Sequence, residues 1–108
     1  MSRDLLVVFV TCPAGEVASG LARVAVGDRL AACVNILGPI RSVYWWEGQV
    51  REDEEALLVL KTTRRAWPAL LERILAEHPY EVPEVLALPV EDGAEAYLRW
   101  VWQSVVGA

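Results

Sequence analysis

The stretch that decides the fold is Ala31-Ala32-Cys33-Val34-Asn35-Ile36-Leu37-Gly38-Pro39-Ile40-Arg41-Ser42-Val43-Tyr44-Trp45-Trp46-Glu47-Gly48, with its return from Gln49 to Leu60. Both arms are rich in β-branched and aromatic residues, which fit a pleated, half-buried surface. Glu47-Gly48 reads as a two-residue hairpin turn, because glycine takes the positive φ such turns require. Gly38-Pro39 interrupts the first arm, so a strand over 31–37 resumes over 40–46. The return arm starts polar, Gln49 to Glu55, and ends apolar at Ala56-Leu57-Leu58-Val59-Leu60. A strand is commonly ~5–6 residues long, so the polar half of this ribbon is expected to project beyond the sheet of its own subunit.

Upstream, Leu5 to Val10 is a continuous apolar run, the pattern of a strand covered on both faces. A turn over 11–16 follows. Val17, Leu21, Val24 and Ala25 then form a helical stripe between Glu16 and about Leu30. Downstream, Thr62 or Thr63 can cap a second helix with Pro68 in its first turn. Its stripe is Trp67, Leu70, Leu71, Ile74 and Leu75, and His78-Pro79 stops it. Glu84 to Val90 reads as a fourth strand, where Pro89 favours an edge. Asp92-Gly93 opens a last helix with Ala94, Tyr97, Leu98, Val101, Trp102 and Val105 on one side. The order βαββαβ plus a terminal helix predicts an α+β class, ferredoxin-like sandwich with a long β2–β3 hairpin and helices on one face. Residues 1–108 read as a single domain. The strands are apolar on both faces, so the bare face and the ribbon edges are expected to be covered by other subunits.

Fifteen acidic against ten basic residues leave a net charge of -5 over 108 residues. That balance argues against a nucleic-acid partner, whose phosphates need a basic field. A hydrophobic fraction of 55% is high for so small a chain, yet no run approaches the ~20 apolar residues of a membrane span. Met1-Ser2-Arg3-Asp4 lacks the features of a secretion signal, and the chain is expected to be cytoplasmic. Cys12 and Cys33 make no disulfide framework and are expected as thiols. Two cysteines and one histidine without paired spacing do not make a structural zinc site.

Several residues carry candidate chemistry, each with a plainer alternative. Cys12 precedes a helix, where amide groups lower a thiol pKa; it also fits as a small packed thiol. Cys33 in its apolar strand reads as packing. In Glu52-Asp53-Glu54-Glu55, alternation puts Glu52 and Glu54 on one face and Asp53 and Glu55 on the other. The run therefore reads as a solvated edge rather than a cation site. His78, the one histidine, ends a helix and is a cap or, with neighbouring Glu77 or symmetry copies, a metal ligand. Lys61, the one lysine, can meet an anion or a carboxylate such as Glu84. Tyr44-Trp45-Trp46 is a stacking platform or an interface anchor. No nucleotide-binding glycine loop and no hydrolase elbow is present. A triad would have to centre on His78, and nothing local supports one.

Taken together, Leu30-Ala31-Ala32-Cys33-Val34-Asn35, Tyr44-Trp45-Trp46-Glu47-Gly48, Leu60-Lys61-Thr62-Thr63, His78-Pro79-Tyr80-Glu81-Val82-Pro83-Glu84 and Leu88-Pro89-Val90 resemble, in order and spacing, the CutA divalent-cation tolerance family. The resemblance covers nearly the whole chain. It implies a ferredoxin-like subunit in a homotrimer, similar in this to the nitrogen-regulatory PII trimers. It also implies a non-enzymatic role in the response to divalent metal ions, copper especially, with no obligatory cofactor. Copper sites in some bacterial members use a cysteine before the Thr-x-Pro turn and a His-His pair before Pro-Tyr. Here Val10 holds the first position and Glu77-His78 the second, so only His78 carries over directly. A lost thiolate and a lost imidazole imply weak copper binding. Cys33, Lys61, Tyr80 and Glu84 match family motifs near clefts between subunits. The alternative reading is a PII-like signalling module that binds a small anionic metabolite in those clefts. An acylphosphatase would need an arginine in the 11–15 loop, and an RNA-recognition fold needs paired sheet aromatics in a basic field; the chain has neither.

Overall fold

The structure, a computed structural model, describes residues 4–107. Its elements follow the order β1 (Leu5–Cys12), α1 (Glu16–Gly27), β2 (Cys33–Trp46), β3 (Gln49–Thr63), α2 (Trp67–Glu77), β4 (Val85–Pro89) and α3 (Glu95–Ser104). The four strands form one sheet in the order β2-β3-β1-β4, with every neighbouring pair antiparallel. This is the arrangement expected from the sequence.

The boundaries differ where cross-strand pairing outweighs local signals. β1 runs two residues further than its apolar stretch because Thr11 and Cys12 pair with Leu57 and Ala56. β3 continues through Lys61, Thr62 and Thr63, which pair with Val7, Leu6 and Leu5. Thr62 therefore caps no helix, and its hydroxyl donates to the Leu30 carbonyl at 2.6 Å. Thr63 is the one that meets the start of α2, accepting from the Ala66 amide at 3.1 Å. α1 stops at Gly27, three residues short of the expected end. Its last carbonyls are taken by the Asp28, Arg29, Leu30 and Ala31 amides as the chain turns through Arg29 at φ 58°. Glu47 and Gly48, at φ 51° and 76°, make the expected tight turn.

β2 is one strand rather than two. Gly38 and Pro39 stand together against the single residue Ala56, so pairing passes from Leu37–Leu57 to Ile40–Glu55 across a bulge. A Cβ on Gly38 would lie 3.2 Å from the Glu55 carbonyl oxygen and 3.3 Å from the Ala56 Cα. Glycine thus permits the close approach on which the bulge depends.

The core lies between one sheet face and the two long helices. Leu6, Val8, Val10, Leu58 and Leu60 meet Ala18, Leu21 and Ala25 of α1 and Leu70 and Ile74 of α2. The second face stays apolar. Val7, Phe9, Leu57 and Val59 are half-buried there, and Leu86 and Leu88, opposite Phe9 and Val7, are exposed. α3 packs Val101 and Val105 against Leu5, Ala32 and Ala66 at the end of the sheet where β1 begins. Its Tyr97 lies outside that contact and is exposed.

Truncation of Leu70, which is fully buried, should cost about 2–5 kcal/mol, and Gly38→Ala about 1–3 kcal/mol. Denaturant unfolding at fixed protein concentration measures both; a loss below about 1 kcal/mol for Leu70→Ala would contradict the core assignment.

Candidate functional site

Two groups of candidate residues sit at opposite ends of the sheet. At the end where α2 stops, His78 leaves the helix with extended backbone and is 7% exposed. Its Nδ1 faces the Tyr80 amide at 3.1 Å, and an amide can only donate, so Nδ1 is the acceptor. Nε2 then carries the hydrogen and donates to the Thr11 carbonyl at 2.8 Å. Both ring nitrogens are engaged, and the imidazole ties the segment after α2 to the end of β1. The Tyr80 ring lies 4.7 Å from the imidazole, and its hydroxyl donates to Glu55 Oε2 at 2.8 Å. Burial, with the bond to Glu55 second, pushes the Tyr80 phenol up. Glu77 is turned elsewhere and accepts from Arg73, which also pairs with Asp28.

Cys12 closes this end from below. It is fully buried, and burial, with the Glu55 charge second, pushes its thiol up to about 11. The structure thus favours the packed thiol over the reactive one, because the burial cost of a thiolate outweighs any lowering from α1. Glu55 departs from the expected solvated edge: it is 6% exposed, taken in by the bulge and by Tyr80. Its neighbours in the acidic run do face water. Glu52 pairs with Arg41, and Asp53 accepts from the Tyr44 hydroxyl.

Between the hairpin stem and the 79–84 segment runs a groove of about 860 Å³, with Tyr44, Trp45 and Trp46 on one side and Tyr80, Glu81 and Glu84 on the other. Asp53 and Glu55 add two more carboxylates, against one base, Arg51, which pairs with Glu47.

At the far end, Cys33 pairs across the strands with Lys61. The Lys61 amine donates to Asn35 Oδ1, and Cys33 Sγ lies 3.5 Å from the Tyr97 hydroxyl. Burial, then the contact with Cys33, pushes Tyr97 up to about 12. Lys61 stands opposite Val7, whereas Glu84 precedes Val85, which stands opposite Val10. Within one protomer, therefore, Lys61 does not meet Glu84. Of the expected cleft residues, Tyr80 and Glu84 line the groove, and Cys33 and Lys61 stand apart from it. Asn35, Thr11 and Tyr97, which sequence reasoning did not single out, complete the two ends. Among the described residues, no three His, Cys, Asp or Glu side chains converge to hold a metal ion.

The sequence pattern of the family described as CutA1 divalent ion tolerance protein matches residues 6–104. The chain is 52% identical to the divalent-cation tolerance protein CutA of Thermus thermophilus over 95 residues, covering 88% of this chain and 92% of that one. It is 53% identical to Protein CutA of Mus musculus over 95 residues, covering 88% of this chain and 54% of the mouse protein, so it spans about half of that relative. The crystal structure of CutA1 from Oryza sativa superposes with a TM-score of 0.92 at 46% identity, covering 96% of this chain and 95% of that one.

Labelling should report the burial of Cys12. Iodoacetamide at pH 8 should spare Cys12 in the native protein and modify it once the protein unfolds; peptide mass spectrometry reads the change. The native Cys12 thiol keeps its proton from 9.0 up to about 11, while the unfolded thiol loses it near the lower value. The folded state then holds more protons, so this contribution to stability is present below pH 9 and lost as the pH rises towards 11. Cys12→Ala should flatten that alkaline loss.

Proposed function

Because the chain belongs to the CutA1 divalent ion tolerance family, we propose that it is a non-enzymatic cytoplasmic protein of the divalent metal response. Its working unit is a homotrimer with weak affinity for copper. The observation that carries the assembly is the second sheet face. Val7, Phe9, Leu57, Val59, Leu86 and Leu88 make an apolar surface with, among the described residues, no helix over its middle. Surfaces of that kind mark association sites, and here the occupants are further copies of the same chain.

Weak metal affinity follows from the bonds already made. Coordination by His78 requires its imidazole to give up either the Thr11 carbonyl or the Tyr80 amide. Glu77 must likewise release Arg73. The residues do not fit a tight, preformed copper site, since each ligand starts from a satisfied hydrogen bond.

A second reading, an anion-binding module of the PII type, draws support from Lys61. Among the described residues its amine meets the neutral Asn35 and no carboxylate. Covering the apolar face by other copies would desolvate that charge, and a small anion would neutralise it. Since Lys61 and the pair Tyr80 and Glu84 lie at opposite ends of a protomer, such a cleft would draw on two subunits.

Light scattering should give three times 12.0 kDa for the native protein, and Phe9→Glu should break the assembly. A monomeric wild type would defeat the proposal. Copper titration by calorimetry should show weak binding that His78→Ala removes; equal affinity in both proteins would sink the site assignment. Stabilisation against heat by a small anionic metabolite, lost in Lys61→Ala, would favour the second reading.

A further inference from the structure

The two ring nitrogens of His78 are not equivalent. Nε2 donates to the Thr11 carbonyl at 2.8 Å, and Nδ1 accepts from the Tyr80 amide at 3.1 Å. Thr11 belongs to β1 and stands opposite Leu57 of β3, so its carbonyl is fixed by the sheet. Tyr80 lies between the end of α2 at Glu77 and the start of β4 at Val85, in neither helix nor strand. A histidine that ligates a metal through one nitrogen commonly donates its other N–H to a backbone carbonyl, which fixes the tautomer. The Thr11 bond is that arrangement already made, and it leaves the Nδ1 lone pair as the ligating position. Coordination through Nε2 would instead move the ring hydrogen to Nδ1, where it would face the Tyr80 N–H, and both bonds would be lost.

A lone pair given to a metal ion cannot also accept from an amide. An ion on Nδ1 therefore displaces the Tyr80 N–H, and the Tyr80 ring must follow, since it lies 4.7 Å from an imidazole that is only 7% exposed. The Tyr80 hydroxyl then loses Glu55, to which it donates at 2.8 Å. Of the two sides of the bridge, the one outside the sheet is the one that can yield. The geometry points to His78 as a catch operated by the metal, an inference that rests on the copper reading of this residue. Copper on Nδ1 and the 79–84 segment docked through Tyr80 are mutually exclusive states. That segment brings Tyr80 and Glu84 to the proposed cleft between subunits, so the ion changes the cleft wall without entering the cleft. Coupling of this kind is reciprocal: whatever holds Tyr80 in place weakens copper binding by the same factor.

Amide hydrogen exchange of the native assembly, read by peptide mass spectrometry with and without saturating copper(II), tests the coupling. Copper should speed exchange over residues 79–84 and leave α1 unchanged. His78→Ala should exchange fast over that segment whether or not copper is added. In the reverse direction, Tyr80→Phe keeps the ring and the amide but loses the Glu55 bond, so undocking costs less. Copper should then bind roughly 3- to 10-fold more tightly by calorimetry, with assembly size checked on the same samples. Suppose copper binds the wild type and not His78→Ala, yet exchange over 79–84 is unchanged or slowed, or Tyr80→Phe binds no more tightly than the wild type. Either result would overturn the coupling and leave the metal site standing. Equal copper binding by the wild type and His78→Ala would overturn both.

Discussion

One extra residue in β2 decides which side chains of the hairpin meet, and with them the neighbours of Lys61 and Glu55. Side chains alternate along a strand, so a shift of one position exchanges its faces. Above the bulge, Ile40 stands against Glu55; below it, Leu37 stands against Leu57. Had pairing run on without the bulge, Cys33 would oppose Thr62, on the helix side of the sheet. With the bulge it opposes Lys61, on the side left open by the helices. The same kink presses β2 against the Glu55 carbonyl at Gly38 and holds the Glu55 side chain out of water, where Tyr80 reaches it. Both ends of the sheet thus owe their chemistry to the close approach that a glycine allows.

The segment after α2 is held by polar bonds more than by packing. Glu81 and Val82 are exposed, yet Tyr80 and His78 link the segment to β1 and to the hairpin through Thr11 and Glu55. Every member of that chain has a partner, and a fully satisfied, part-buried network favours one arrangement and stiffens it. The consequence is a groove whose two walls belong to distant parts of the sequence and are fastened to each other at their base. Around it, Arg41 and Arg51 pair with Glu52 and Glu47 of the acidic hairpin. Asp53 and Glu55 instead accept from the neutral Tyr44 and Tyr80 hydroxyls.

Much of this was legible in the sequence. The long apolar runs and the two amphipathic stripes specify the element order, and the Glu47-Gly48 turn specifies the hairpin. The apolar second face was also visible, since Val7, Phe9, Leu57 and Val59 interleave with Val8, Leu58 and Leu60 instead of with polar residues. What sequence reasoning missed are consequences of register. Asn35 meets Lys61, and Glu55 is buried, only because two residues oppose one at the bulge, and local patterns do not report that count. Thr11 was hidden for another reason. It acts through its backbone carbonyl on His78, and any residue at that position would present the same atom. The expected meeting of Lys61 with Glu84 rested on both lying at strand ends; the antiparallel register puts them at different ends.

The solitary lysine has a consequence of its own. The chain carries ten lysines and arginines, and Lys61 is the one among them with an ε-amino group. That group already donates to Asn35 within an otherwise apolar face. Guanidinium groups do not acylate under conditions that modify amines, so the side chains of this protein offer one amine, Lys61, to lysine acetylation and amine-directed attachment. Any such mark on a side chain must fall on the face through which copies of the chain are proposed to meet.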